Sequence, residues 1–109
     1  MVERKMMKEI QRNMVRNFLD TLVMVKLKKG PPMSGYDIMD YIQQKYGVLM
    51  SSGTVYSLLY SLERQGLLSA SLDSGKRLYT LSDEGVKSVD GVLESKEEIK
   101  KFVGNLLQA

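Results

Sequence analysis

The chain has 109 residues, 43% hydrophobic and 27% charged, which fits one globular domain and excludes a second full one. It contains neither cysteine nor histidine, so zinc fingers, iron–sulfur sites, disulfide frameworks and Cys or His nucleophile–base pairs are excluded. The net charge of +3 is uneven: residues 1–30 carry eight Lys/Arg against three Asp/Glu, residues 31–81 four against four, and residues 82–109 four against six. A core this small leaves much apolar surface uncovered, so pairing with a second copy is expected. With no signal-peptide apolar region and no apolar run of about 18 residues, the expected location is cytoplasmic.

Between Met6 and Leu27 apolar residues recur at Ile10, Met14, Phe18, Leu22 and Val25, steps of four and three that predict one long amphipathic helix. Gly30-Pro31-Pro32 ends it, because two prolines remove two backbone donors and Pro31 restricts the residue before it. Ser34 offers an N-cap with Asp37 three residues on, and Ile38, Ile42 and Tyr46 follow at spacing four, predicting a second helix over about 34–46. Gly47 stops it. Ser51, Ser52 and Gly53 then open a third helix over roughly 52–65, with Val55, Leu58, Leu59 and Leu62 as its apolar stripe.

After Gly66, Leu67–Leu72 and Arg77–Leu81 read as two strands joined by Asp73-Ser74-Gly75-Lys76, although the alternation leaves open which face of the hairpin is buried. Ser82 caps a last helix, with Asp83 and Glu84 favourably placed in its first turn. Val89, Val92, Ile99, Phe102, Val103, Leu106 and Leu107 carry its apolar stripe to the C-terminus, with few segments left to cover it. That stripe either folds back on its own domain or meets a second copy. The first helix is already needed over helices two and three, so a dimer contact through Phe18, Leu22, Val92, Ile99, Phe102, Val103 and Leu106 is expected.

Helix, helix, helix, hairpin, helix is the order of a winged helix-turn-helix. The expected fold is therefore mainly α with a small β-hairpin, flanked by long N-terminal and C-terminal helices that form a dimer. One domain spans 1–109, with the winged helix-turn-helix over about 10–81 and the dimerisation helix over 82–109. The third helix leaves Ser51, Ser52, Thr54, Ser57, Tyr60, Ser61 and Arg64 on or near its outer side, a polar, mostly uncharged surface that suits a DNA groove but also suits water. Ser52, Gly53 and Thr54 can act as caps, as a phosphate site, or as both. Lys and Arg at a hairpin tip also serve solubility, but a wing is placed to graze the adjacent backbone or minor groove, so Lys76 and Arg77 are expected to touch DNA. Arg4, Lys8, Arg12 and Arg16, at spacing four, form a basic stripe that is either solvated or phosphate-binding. The eight methionines are ordinary core filler before they are an adaptable ligand surface.

Three motifs carry a family resemblance. Ser34-Gly35-Tyr36-Asp37-Ile38, after Gly30-Pro31, resembles the Gly-Tyr-acidic-Ile start of helix two in the PadR-like transcriptional regulators. Ser52-Gly53-Thr54-Val55-Tyr56 with Leu59, Leu62-Glu63 and Gly66-Leu67-Leu68 is similar to their recognition helix, and Lys76-Arg77-Leu78-Tyr79-Thr80-Leu81-Ser82-Asp83-Glu84-Gly85 to their wing and its exit. The resemblance covers about residues 10–90 and extends to the short subfamily, whose dimers are held by the last and first helices. It implies phosphate contacts from the hydroxyls of Tyr36 and Tyr56, whose rings can also fill the core's edge. Ser57 departs from the proline of many members, and the wing carries only Lys76 and Arg77 where others have longer basic runs. The tryptophan with which certain short members stack flat aromatic ligands has no counterpart.

The expected function is a homodimeric, sequence-specific DNA-binding regulator, a repressor on a pseudo-palindromic operator, with half-site centres about 34 Å apart or a multiple of that. It needs no metal, cofactor or catalytic residue, and the resemblance alone implies a small-molecule effector, of unknown identity. A protein-interaction module built on the same winged helix is the alternative; steep salt dependence marks the first reading and its absence the second. An enzyme is disfavoured, since neither a G-x-x-x-x-G-K-[ST] loop nor a G-x-G-x-x-G loop is present.

Overall fold

Among the described residues, six helices and one hairpin follow one another as α1 (Val2–Asn17), α2 (Leu19–Lys29), α3 (Gly35–Tyr46), α4 (Ser52–Arg64), β1 (Leu68–Asp73), β2 (Lys76–Leu81), α5 (Asp83–Glu94) and α6 (Lys96–Leu106). The computed structural model describes residues 2–108, with side chains from Arg4 onward. The two long terminal helices expected from the sequence are each divided at one residue. Phe18 (φ −103°, ψ 20°) separates α1 from α2, and Ser95 (φ −95°, ψ 13°) separates α5 from α6. Neither break is a loop. The Phe18 amide still donates to Met14 O at 2.8 Å, and the Ile99 amide to Ser95 O at 2.9 Å. At Ser95 the amide is shared between Gly91 O and Val92 O, both at 3.1 Å, the tightened last turn that commonly ends a helix.

The α1–α2 helices carry two adjacent apolar rows, and the buried one is not the row the periodicity picked out. Val15, Leu19, Val23 and Leu27, at spacing four, enter the core. Ile10, Met14 and Phe18 are 48%, 39% and 44% exposed. A helix pattern alone cannot say which of two apolar rows meets its own chain. The buried row packs with Ile38 and Ile42 of α3, Val55, Leu59 and Leu62 of α4, Leu68 and Tyr79 of the hairpin, and Val89 of α5. Ile42, Val55 and Leu59 are fully buried, worth about 1.5–3 kcal/mol each, so α3 and α4 are fixed to one another mainly by apolar packing.

Local chemistry sets the boundaries. Ser34 and Asp37 form a reciprocal capping box at the start of α3, and Gly47 ends that helix at φ 67°. The hairpin turn is tighter than the four residues expected: Ser74 (φ 52°) and Gly75 (φ 79°) alone close it, and Asp73 pairs with Lys76. Two successive positive φ values match the right-handed strand twist. Leu68, Ala70, Tyr79 and Leu81 face inward, whereas Leu72 near the tip is 75% exposed. The free edge of β2 is tied to the Pro-Pro segment by a bridge, with the Met33 amide donating to Tyr79 O at 3.1 Å and the Tyr79 amide to Met33 O at 2.8 Å.

The exit from the hairpin is equally constrained. The Ser82 hydroxyl donates to Gly66 O at 2.6 Å and accepts from the Gly85 amide at 3.0 Å. Gly85 abuts Leu67: a Cβ there would lie 2.1 Å from the Leu67 carbonyl oxygen. An ion pair between Lys28 and Asp90 joins α2 to α5.

Candidate nucleic-acid interface

Ser51, one residue before α4, caps it, accepting from the Thr54 amide at 3.2 Å while its own hydroxyl donates to Thr54 Oγ1 at 2.8 Å. The amides of Ser52 and Gly53 belong to the first turn, which has no intrahelical acceptors, and both residues are exposed. A Cβ at Gly53 would meet nothing within 4 Å, so packing within the chain does not require glycine there. Thr54, Ser57 and Arg64 are exposed and Tyr60 is 45% exposed, which forms one outward surface opposite Val55, Leu59 and Leu62.

Tyr56 does what a packing residue does: its ring lies against α3, so that a Cβ on Gly35 would be 2.5 Å from its Cε1. Its other neighbour is Tyr60, with ring centroids 6.2 Å apart. Gly35 is thus the small residue that lets the start of α3 approach α4. Tyr36, next along, is 71% exposed. Asp37 is held below the ordinary carboxylate value, first by the Ser34 amide and then by the Ser34 hydroxyl, with the Lys76 ammonium adding to them. The start of α3 therefore packs on α4 at Tyr56, with Lys76 of the wing within electrostatic reach of Asp37.

Lys76 and Arg77 part company. Lys76 is exposed. Arg77 turns back: its Nη2 donates to both carboxylate oxygens of Glu63 on α4 at 2.7 Å, and its Nε donates to Tyr79 Oη at 3.1 Å. These hydrogen bonds, Glu63 first, raise the Arg77 pKa, while burial raises that of Tyr79. Nothing local in the spacing of Glu63 and Tyr79 marks them as partners of Arg77. The basic stripe lies on α1, exposed at Arg4, Lys8, Arg12 and Arg16, and Lys8 and Arg12 face an open cleft shared with Lys45, Tyr46 and Gly47.

Of the residues expected at the dimer contact, Phe18, Leu22, Ile99 and Val103 come together in one groove, whereas Val92 lines a separate small cleft with Thr21, Met24 and Val25. Phe18, Ile99, Phe102 and Leu106 are exposed, and Leu22, Val92 and Val103 are half-buried. Met14, Val15, Phe18, Leu22, Tyr46, Ile99 and Val103 line one open apolar groove of about 270 Å³. No residue of α6 is buried. Among the described residues no helix is long and apolar enough to cross a membrane.

A pair of crossed helices, α3 and α4, with a two-stranded wing anchored on the second defines a winged helix-turn-helix. The Transcriptional regulator PadR-like family model matches residues 23–90, more than half of the chain, and the chain belongs to that family: it is a DNA-binding transcriptional regulator and not an enzyme. Among solved structures it is similar to a PadR family transcriptional regulator from Eggerthella lenta at 28% identity, with 99% of this chain and 94% of that chain covered and a TM-score of 0.73. A transcriptional regulator from Clostridium thermocellum aligns at 26% identity over 85% of this chain and 93% of that one, with a TM-score of 0.71. A PadR-like regulator from Bacillus cereus shares the fold at 20% identity and a TM-score of 0.74, over 89% and 98% of the two chains. No curated protein matches the chain.

Proposed function

We propose that the protein is a homodimeric repressor that acts in the cytoplasm on a pseudo-palindromic operator, with α4 of each protomer in a major groove. Residues 10–81 serve as its DNA-binding part and 82–109 as its dimerisation part, within one domain. The observation that carries this reading is the first turn of α4. Its Ser52 and Gly53 amides have no intrahelical acceptor, both residues are exposed beside Thr54, and a Cβ at Gly53 would meet nothing within 4 Å. Backbone donors at a helix N-terminus suit a phosphate and would fix the register of α4 on the duplex. Tyr36 and Lys76 contribute further phosphate contacts, and Tyr56 presents its hydroxyl from a packed ring. Ser57, Tyr60 and Arg64 are then the side chains placed to read base edges.

The second protomer covers the apolar faces of α1 and α6, where Phe18, Phe102 and Leu106 are 44%, 64% and 58% exposed. Two copies give two recognition helices, and half-sites about 34 Å apart or a multiple follow. Repression by occlusion needs no surface beyond these two. Fluorescence anisotropy on a duplex from the upstream region of the gene, against a scrambled duplex at two salt concentrations, tests the reading. Specific binding that weakens with salt, at two protomers per site, is expected; equal weak binding to both duplexes, insensitive to salt, would overturn it.

A further inference from the structure

By its charge and its place near a hairpin tip, Arg77 is expected to contact DNA. Strand geometry assigns it elsewhere. Successive side chains of a strand point to opposite faces, so Arg77 shares a face with Tyr79 and Lys76 lies on the other. Tyr79 is fully buried, which fixes that shared face as the one turned to the body of the protein. There, Arg77 meets Glu63 at 2.7 Å and the Tyr79 hydroxyl at 3.1 Å, bonds that connect the wing to the last turn of α4. Opposite Arg77 in the hairpin stands the exposed Leu72, so beyond Ala70 and Tyr79 the core gives the wing no apolar anchor.

From this we infer that Arg77 is a positioning residue that clamps the wing to the recognition helix through Glu63, and that it does not bind DNA itself. The inference rests on the DNA-binding reading above for its effect on affinity, although the clamp can be read without DNA. A guanidinium engaged by a carboxylate neutralises no phosphate and so displaces no counterion from the DNA, and Arg77 adds nothing to the salt dependence of binding. Its effect is on where Lys76 sits relative to α4. Glu63 acquires a role opposite to the one its charge suggests: a carboxylate close to a polyanion should oppose binding, yet here it holds the wing in place.

The sign of the Glu63 effect is therefore the test. Glu63→Gln, Arg77→Lys, their double variant and Lys76→Gln are compared with the wild-type protein by anisotropy over a salt series. Amide hydrogen exchange of the hairpin is measured on the same proteins without DNA. Lysine keeps the charge of Arg77 but cannot hold the carboxylate and the tyrosine hydroxyl together. Glu63→Gln and Arg77→Lys are expected to weaken operator binding to a similar extent, roughly three- to ten-fold for a half-exposed ion pair with an added hydrogen bond. The double variant should be no worse than either, with the slope of log affinity against log salt unchanged. Lys76→Gln should instead reduce that slope by about one phosphate contact. Hairpin amides near the tip should exchange faster in the first three variants and not in Lys76→Gln. Tighter binding by Glu63→Gln, or operator binding by Arg77→Lys equal to that of the wild-type protein, would overturn the clamp. If the wild-type protein binds no duplex specifically, the DNA reading falls separately, and unchanged hairpin exchange in Arg77→Lys would still refute the clamp.

Discussion

Gly85→Ala and Gly91→Ala make the same chemical change on the same helix and should move stability in opposite directions. At Gly85 the new methyl would lie 2.1 Å from the Leu67 carbonyl oxygen and 3.1 Å from its carbon. A relaxed carbon–oxygen contact is about 3.3 Å, so α5 would have to retreat by roughly 1 Å from a backbone that cannot rotate away. That retreat pulls on the Ser82 hydroxyl, which bonds Gly66 O at 2.6 Å on one side and the Gly85 amide at 3.0 Å on the other. Overpacking of this kind costs about 1–3 kcal/mol, and a rigid obstacle places it near the upper end. Alanine returns up to about 1 kcal/mol of helix propensity, leaving a net loss near 2 kcal/mol. For a domain of this size each kcal/mol moves Tm by about 4–8 °C, so a fall of roughly 8–16 °C is expected. At Gly91 nothing lies within 4 Å of the added methyl, and the propensity gain should raise Tm by a few degrees. Thermal and urea denaturation at one fixed protein concentration, chosen because the Tm of the proposed dimer depends on concentration, reads both. Two variants stabilised alike would refute the contact between Gly85 and Leu67.

Gly53→Ala should leave the fold at least as stable, since its methyl meets open space, while weakening operator binding roughly ten-fold by holding the DNA backbone off the first turn of α4; Tm and anisotropy on one sample separate the two effects. Asp37 has its native pKa lowered, so the stability it contributes is present at neutral pH and is lost as pH falls from about 4 through its native value. Urea unfolding between neutral pH and pH 3 should show a smaller acid loss in Asp37→Asn than in the wild-type protein. Phe102→Glu with Leu106→Glu should turn the proposed dimer into a monomer by light scattering, and a mass equal to that of the wild-type protein would count against α6 as the dimer contact.

What could be read from the sequence was what local chemistry decides. Ser34, Gly47, Ser51 and Ser82 mark helix ends by hydrogen bonds made within a few residues, and the structure has caps at each. The spacing of Ile38 and Ile42, and of Val55, Leu59 and Leu62, found the buried faces of α3 and α4 because each has only one apolar row. On α1 and α2 two such rows lie side by side. Spacing found the exposed one, Ile10-Met14-Phe18, and passed over Val15-Leu19-Val23-Leu27, since choosing between them needs to know which neighbour lies where. The bends at Phe18 and Ser95 were missed for a related reason: neither position carries proline, and backbone hydrogen bonding runs through both.

The wing shows how one unresolved local choice governs a functional assignment. The alternation in Leu68–Leu72 and Leu78–Leu81 is compatible with either face inward, and a shift of one residue would exchange every inward side chain for an outward one. What decides it is a long-range pairing. The bridge to Met33 and the contact of the Tyr79 ring with the core turn the Tyr79 face inward. Arg77, two residues earlier, must follow, and it comes within reach of Glu63, 14 residues back along the chain. Lys76, one residue earlier still, must point the other way. Two adjacent basic residues that composition treats as one patch are thus divided by strand parity into a residue free to meet phosphate and one engaged in holding the wing, and their roles cannot be exchanged without turning Tyr79 out of the core.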